Sequence, residues 1–254
     1  MTEFTIFQAI LTISFVVAVG TFITLFFVPA PYGRHIRRGW GPNLSNQLGW
    51  LLMESVSSVG MLVMFVIGDA PKTATLFILL LMWEAHYLHR AFIYPFLLRD
   101  GKKKMPLAVT LLAVTFNLGN VYINGRYLFH FSEDFYSANW LLEPRFIVGA
   151  ALFVIGFSLN RWADNTLRAL RRPSETGYKI PYGGLYRYIS CPNYFGEIIE
   201  WIGWALATWS LPGLAFAVWT FANLAPRGRS HHKWYHEQFS DYPPERKALI
   251  PGVW

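Results

Sequence analysis

Apolar runs long enough to cross a bilayer recur along this chain, each closing on a short polar stretch. A spanning helix takes about 20 mostly apolar residues. That length fits segments at 4–28, 46–68, 74–98, 105–130, 146–170, 193–209 and 212–224, the last running on into polar sequence. The pattern predicts an all-α, polytopic integral membrane protein with seven transmembrane helices.

The polar stretches alternate in charge. Arg34, Arg37 and Arg38 follow the first apolar run, and Arg99, Lys102, Lys103 and Lys104 follow the third. Arg171, Arg172, Lys179 and Arg187 follow the fifth; Arg227, Arg229, Lys233, Arg246 and Lys247 follow the seventh. The other connections carry Asp69 and Lys72, then Glu133, Asp134, Glu143 and Arg145, then only a tight turn at 210–213. Basic loops stay on the cytosolic side, which puts the N-terminus outside and the C-terminus in the cytosol. The first segment has no basic leader and no small-residue cleavage site, so it reads as a retained helix. With no repeat, low-complexity tract or linker, residues 1–254 read as one domain.

Composition agrees: 54% of the residues are hydrophobic, 18% aromatic and only 15% charged. The net charge of +7 comes from cations lying between apolar runs, which favours membrane topology over nucleic acid. The lone Cys191 excludes an internal disulfide and a cysteine-based metal site.

Against this background the polar residues inside the apolar runs carry the information. An ionisable group at a helix centre in lipid costs about 2.5–3.5 kcal/mol even on lenient scales, so it persists when paired or when it lines a cavity. The stretch 193–224 opens with Asn193, Glu197 and Glu200. The third run carries His86, Tyr87, His89, Arg90 and Tyr94; the two histidines have no Asp or Cys to complete a metal site, and Arg90 would repel a cation. Glu54 is the only acid of the second run, and desolvation favours its uncharged carboxyl. A neutral carboxyl donates a hydrogen bond, as needed to polarise a ketone or enone oxygen; an ion pair with Arg90 or a histidine is the competing reading. Asn117, Asn120 and Asn124 form one stripe, read as glue between helices. Asn160, Asp164, Arg168 and Arg171 form another, leading from apolar helix into basic loop and suited to hydroxyls at one end and phosphates at the other.

No Gly-x-Gly-x-x-Gly element with strands to carry it is present, so any nucleotide must sit within the helical bundle. The glycine pair Gly183-Gly184 marks a turn. Gly-x-Ser-x-Gly and Cys/His acyl-transfer arrangements are missing as well.

Longer motifs then appear in order: Arg171-Arg172-Pro173, Ile180 to Leu185, Asn193 to Gly203, Ala205 to Pro212, and His231-His232 through Tyr235 to Asp241-Tyr242-Pro243, Arg246 and Pro251. Thinner matches lie at Pro31 to Arg34, Trp50 to Glu54 and His86 to Arg90 with Tyr94. In these motifs, over almost the whole chain, the protein resembles the steroid 5α-reductase (3-oxo-5-alpha-steroid 4-dehydrogenase) family. The animal type 2 branch is the nearest match, with a bacterial origin expected.

The resemblance implies a seven-helix enzyme that uses NADPH to reduce the C4=C5 bond of 3-oxo-Δ4-steroids of the testosterone and progesterone type. Under it Glu54 and Tyr87 hydrogen-bond the C3 carbonyl oxygen. Asn160, Asp164, Arg171, Tyr178, Asn193, Arg227, His231 and Tyr235 embrace the cofactor, with Lys179, Glu197 and Tyr32 supporting the pocket. The N-terminal half would face the substrate and the C-terminal half the cofactor. The implied partners are a steroid or other lipid enone and membrane lipids, with no nucleic acid and a monomeric state. The implied membrane is a bacterial inner membrane or the endoplasmic reticulum.

Two positions depart from the pattern: Met53 stands where the animal enzymes have Gln, and Lys179 where the family has Arg, keeping charge but losing bidentate geometry. Lys102 to Lys104 offer compensation. The alternatives are polyprenol or trans-2-enoyl-CoA reduction within the same family, and an isoprenylcysteine methyltransferase type of enzyme using S-adenosylmethionine. The latter has no need of a carbonyl-polarising acid, so Glu54 with Tyr87 favours reduction.

Overall fold

The computed structural model describes residues 2–37, 39–98, 103–170, 175 and 177–254. Arg38, Arg99, Lys102, Arg171 and Arg172 of the charge pattern lie outside them.

Helices form where the apolar runs predict them, and local chemistry sets their ends. The Thr2 hydroxyl accepts from Thr5 N at 3.3 Å to start α1 (Glu3–Phe27), which stops before Pro29. Ser45 and Thr73 cap α2 (Asn46–Ile67) and α3 (Ala74–Leu97) in the same way. The fourth helix is α4 (Leu107–Phe131). Proline at the first helical position opens α5 (Pro144–Ala169) and α6 (Pro192–Thr208). Trp209 in the left-handed region and the Ser210 cap then reverse the chain within two residues into α7 (Leu211–Gln238). Both α3 and α4 contain wide π-type turns, at His89–Ile93 and Tyr127–Phe131. Such turns are often found at functional sites.

The protein is mostly helical, and α1 to α5 are each long and apolar enough to cross a membrane. Their outward faces are apolar, with Val16, Val66, Leu81, Leu112 and Val154 all more than half exposed, as lipid contact requires. The sixth helix, at 17 residues, is short for a spanning element. The seventh continues past Leu224 through polar sequence to Gln238. The all-α expectation needs one small correction: β1 (Asn43–Ser45) and β2 (Lys104–Pro106) pair antiparallel, clamping together the entries to α2 and α4.

Helix α2 packs on α3 and α4, α1 lies along α7, and α5 and α6 make the most intimate contact. Gly149 and Gly156 on α5 face Gly203 and Gly196 on α6, backbone against backbone. A methyl at Gly156 would collide with the Glu200 nitrogen and sit 2.5 Å from Gly196 O; one at Gly196 would lie 2.6 Å from Asn160 N. Lipid offers no hydrophobic drive between helices, so small residues that let backbones approach are what hold such a pair together.

Large aromatics fill the centre, among them Trp83, Tyr87, Trp201, Trp204 and Phe216, with Trp201 and Phe216 centroids 4.1 Å apart. Their buried N–H groups are satisfied: Trp83 donates to Ser57 O at 3.0 Å, Trp204 to Asn124 Oδ1 at 3.1 Å and Trp140 to Ala207 O at 2.9 Å. The predicted asparagine stripe behaves as glue. Asn117 donates to Met53 O at 2.6 Å, and Asn124 joins α4 to α6 through the Trp204 bond. The C-terminal segment folds back, with Lys247 N donating to Tyr188 O and Ser190 N to Lys247 O, both at 2.9 Å.

Gly156→Ala is expected to destabilise the detergent-solubilised protein by about 1–3 kcal/mol through overpacking, whereas Gly20→Ala, where nothing lies within 4 Å, should be neutral or slightly stabilising. Thermal unfolding of the two variants side by side checks this. Equal midpoints would show that the glycine contact is dispensable.

Candidate active site

The α5–α6 contact delivers polar side chains at the end where α5 finishes and α6 begins. Asn160 and Asp164 continue the Gly156 face of α5 at one-turn intervals, while Asn193 and Glu197 flank Gly196 on α6. Asn160 Nδ2 donates to Asn193 O at 2.9 Å and to Glu197 Oε2 at 3.2 Å; Asn193 Nδ2 donates to Asp164 Oδ1 at 3.0 Å. Four of the expected residues are thereby brought together.

Two arginines neutralise the acids of this cluster. Arg90, on the π-type turn of α3, lies 3.7 Å from both Asp164 Oδ2 and Glu197 Oε2, with its guanidinium over the rings of Trp50 at 4.5 Å and Tyr94 at 4.8 Å. Arg161 donates to Asn160 Oδ1 at 2.6 Å, to Asp164 Oδ2 at 3.3 Å and to His89. His86, by contrast, pairs with Glu200 across 2.7 Å. The two histidines of α3 thus have separate partners.

On α2, Glu54 is half-buried and hydrogen-bonds with Asn117, close enough to Arg90 and Glu197 to feel their charges. Among the described residues it has no cation at ion-pair distance. Tyr87 is buried beside Ser57, with Glu54, Glu197 and Glu200 near its phenol. Glu54 and Tyr87, the expected carbonyl-binding pair, thus lie within electrostatic range of one another and of Glu197 in the α5–α6 cluster.

A second cluster forms where the loop after α1 meets the C-terminal half of α7. Arg227 donates to Asn223 at 2.9 Å and to the Tyr194 hydroxyl at 3.0 Å, with its guanidinium 4.8 Å from the Tyr32 ring. His231 Nε2 is 3.0 Å from the Tyr194 hydroxyl, and its ring stacks on His35 at 5.3 Å. Arg34 sits in an aromatic cage, 4.8 Å from Tyr178, 4.6 Å from Trp234 and 5.0 Å from Tyr235. Lys103 reaches the Tyr178 hydroxyl at 3.4 Å. Lys179 pairs with Glu175 at 2.6 Å, and Arg171 lies outside the described residues.

Sequence reasoning passed over Arg34, His35, Arg161 and Tyr194. Arg34 closes the Pro31 to Arg34 motif, Arg161 and Tyr194 directly follow Asn160 and Asn193, and His35 follows Arg34, so adjacency was the available signal.

Buried nitrogens without a hydrogen-bond partner include Arg34 Nη1, His35 Nε2, His231 Nδ1, and Arg246 Nε and Nη1. Buried donors are rarely left unmatched, and a run of them on cationic and imidazole groups fits an anionic ligand such as a dinucleotide's phosphates. Burial first, then Arg34 and Arg227, hold the His231 imidazole well below its ordinary value, and the same causes lower His35. Burial, then His236 and Lys247, bring His232 down to about 4.

Comparison with known proteins agrees with this architecture. Residues 103–254 match the profile of the family described as 3-oxo-5-alpha-steroid 4-dehydrogenase. The chain is 42% identical over 240 residues to "Steroid 5-alpha-reductase DET2" of Arabidopsis thaliana, covering 92% of this chain and 91% of that protein. It is 45% identical over 235 residues to "3-oxo-5-alpha-steroid 4-dehydrogenase 1" of Bos taurus, covering 91% and 90%. The protein belongs to the 3-oxo-5-alpha-steroid 4-dehydrogenase family. It is an oxidoreductase acting on CH–CH groups and an integral membrane protein, which sets aside the methyltransferase alternative. These two relatives carry plant and animal type 1 names, where the sequence pointed to the type 2 branch; the family is common to all.

Each depressed histidine stays neutral in the folded protein while its unfolded counterpart takes up a proton below about pH 6.5. Their stabilisation is thus complete above that value and is lost as pH falls toward about 4, the His232 value. Thermal unfolding between pH 7.5 and 4.5 should show this loss, and His231→Gln should flatten it. Parallel curves for the two proteins would show that His231 contributes nothing.

Proposed function

We propose that the protein reduces the C4=C5 double bond of 3-oxo-Δ4-steroids with NADPH, as one unit over residues 1–254. In this reading seven membrane helices place the N-terminus outside and the C-terminal cofactor pocket on the cytosolic side. The observation that carries it is that Glu54 and Tyr87, an acid without an ion-pair cation among the described residues and a buried phenol, lie by the α5–α6 polar cluster, while a second cluster at the end of α7 holds unmatched nitrogen donors. The names of the relatives support the steroid enone as substrate class.

Arg227, His231, Tyr235, Tyr178 and Tyr32, with Arg171 and Lys179, would hold the dinucleotide, and Asn160, Asp164, Asn193 and Glu197 would orient its nicotinamide half. When bound, NADPH supplies a hydride. Glu54 and Tyr87 aim O–H donors at the substrate's C3 oxygen, where negative charge gathers as the β-carbon is reduced. The aromatic packing of Trp83, Trp201 and Phe216 keeps water from that oxygen, which strengthens both hydrogen bonds. The Arg90 guanidinium compensates Asp164 and Glu197, keeping the acids of the cofactor side from repelling the developing enolate.

Glu54→Gln should lower turnover roughly 10- to 1000-fold, in line with weakening one oxyanion donor, and leave NADPH affinity nearly unchanged. Arg227→Ala should do the reverse, weakening NADPH more than steroid. The assay is loss of nicotinamide absorbance with purified protein and testosterone or progesterone, with the product identified by mass. Wild-type turnover in Glu54→Gln would remove Glu54 from the reaction.

A further inference from the structure

Reduction of an enone needs a proton for the α-carbon as well as a hydride for the β-carbon, and the groups already assigned leave the proton's source open. Glu54 and Tyr87 are engaged at the carbonyl oxygen. Asp164 and Glu197 face Arg90, with Arg161 also on Asp164. Glu84 accepts from Ser58 at 2.6 Å on the side of α3 that meets α2.

Among the described residues a buried titratable pair beside Tyr87 is still without a role. His86 directly precedes Tyr87 on α3, and its Nδ1 is 2.7 Å from Glu200 Oε1 on α6. Both residues are nearly fully buried, at 5% and 0% exposure, and Glu200 Oε2 has no partner. The His86 ring lies edge-on to Tyr87 with centroids 4.9 Å apart, and both rings pack on Trp201, at 4.7 and 5.8 Å. Among the described residues the ring's one hydrogen bond runs to Glu200, which leaves Nε2 uncommitted. An isolated acid–imidazole pair enclosed by tryptophan and tyrosine is costly to bury and contributes little net stability. Its position beside the carbonyl-binding phenol gives it a chemical use. The α-carbon of an enone is the second atom from the carbonyl oxygen, so a donor for it belongs about one side chain away from Tyr87.

We propose that Glu200 and His86 form the relay that protonates the substrate's α-carbon, an assignment that rests on the reductase reading above. The resting pair carries one proton more than a carboxylate and a neutral imidazole. As the enolate collapses, the His86 Nε2–H bond breaks and the α-carbon–H bond forms, with the enolate's electron pair making that bond and the carbonyl restored. The proton shared with Glu200 settles on Nδ1, leaving Glu200 as carboxylate beside a neutral ring. Water returns the missing proton after product leaves. The hydride's two electrons reach the β-carbon independently, so the balance closes.

The test uses the purified protein with NADPH, once with the enone and once with the saturated ketone in D2O. In the second arm no oxidised cofactor is present to take hydride back, and only enolisation, the relay run in reverse, exchanges the α-hydrogen. Glu200→Gln keeps a hydrogen bond to Nδ1, through its amide N–H, but has no proton to pass; His86→Asn removes the ring. Wild type should incorporate deuterium at C4, and both variants should lose exchange and turnover by roughly 10²–10⁴-fold, the usual worth of a general acid, with NADPH affinity and unfolding temperature unchanged. Should His86→Asn fail to fold, Glu200→Gln alone decides between the outcomes. Exchange or turnover near wild type in Glu200→Gln overturns the relay and leaves the reductase reading standing. A wild type that reduces no 3-oxo-Δ4-steroid with NADPH overturns both.

Discussion

The backbone contact between α5 and α6 is the constraint from which the rest of the site follows. Seven residues separate Gly149 from Gly156 and Gly196 from Gly203, about two helical turns in each case, so each helix presents a flat strip to the other. Any side chain there would push the helices apart by the width of a methyl group. The bonds from Asn160 to Asn193 and Glu197, and from Asn193 to Asp164, exist because the backbones are already that close. A polar cluster within lipid is tolerable when its members pair with one another, and the glycines are what bring these members within reach.

The rest of the bundle is arranged about this pair. From α3, Arg90 reaches into the gap between Asp164 and Glu197, and the wide turn at His89–Ile93 sets its direction. Asn124 of α4 catches the Trp204 indole on the far side of α6, while Asn117 holds α2 through Met53 O and reaches Glu54. The candidate catalytic acid is therefore located by a chain of contacts that begins at the glycines and passes through two asparagines read from sequence as glue alone. Structural and chemical roles are not separable at Asn117.

Helix positions were legible because apolar length is a composition signal that survives without any tertiary information; the starts of α2 and α3 fell where Ser45 and Thr73 cap them. The stripe of Asn160 and Asp164 was legible for the same reason, since helical periodicity alone puts them on one face. What escaped was anything set by the partner helix. Arg161 lies one position from Asn160 and should point elsewhere, yet its long side chain returns to donate to both Asn160 and Asp164. Arg34 sits in a loop with no period to read, and its cage of Tyr178, Trp234 and Tyr235 is assembled from segments far apart in sequence. The glycine strips were visible as a seven-residue spacing, but glycine is silent in a reading that weighs polarity. The short β1–β2 ladder was likewise invisible, since three residues carry no alternation to detect.

The distribution of counter-ions among the buried acids carries the chemistry. Asp164 and Glu197 each have a guanidinium within 4 Å, so their charge is compensated and they can serve as fixed acceptors for a polar ligand. Among the described residues Glu54 and Glu200 have none; their partners are an asparagine and a histidine. An acid with no guanidinium against it is the kind that can serve as an O–H donor, the role proposed above for both. Three helices thus hold acids in two kinds of surroundings, α6 carrying one of each in Glu197 and Glu200, and the difference is made by where Arg90 and Arg161 reach and where they do not. Had either arginine stood beside Glu54, the helix would be better neutralised and the hydrogen-bond donor would be gone.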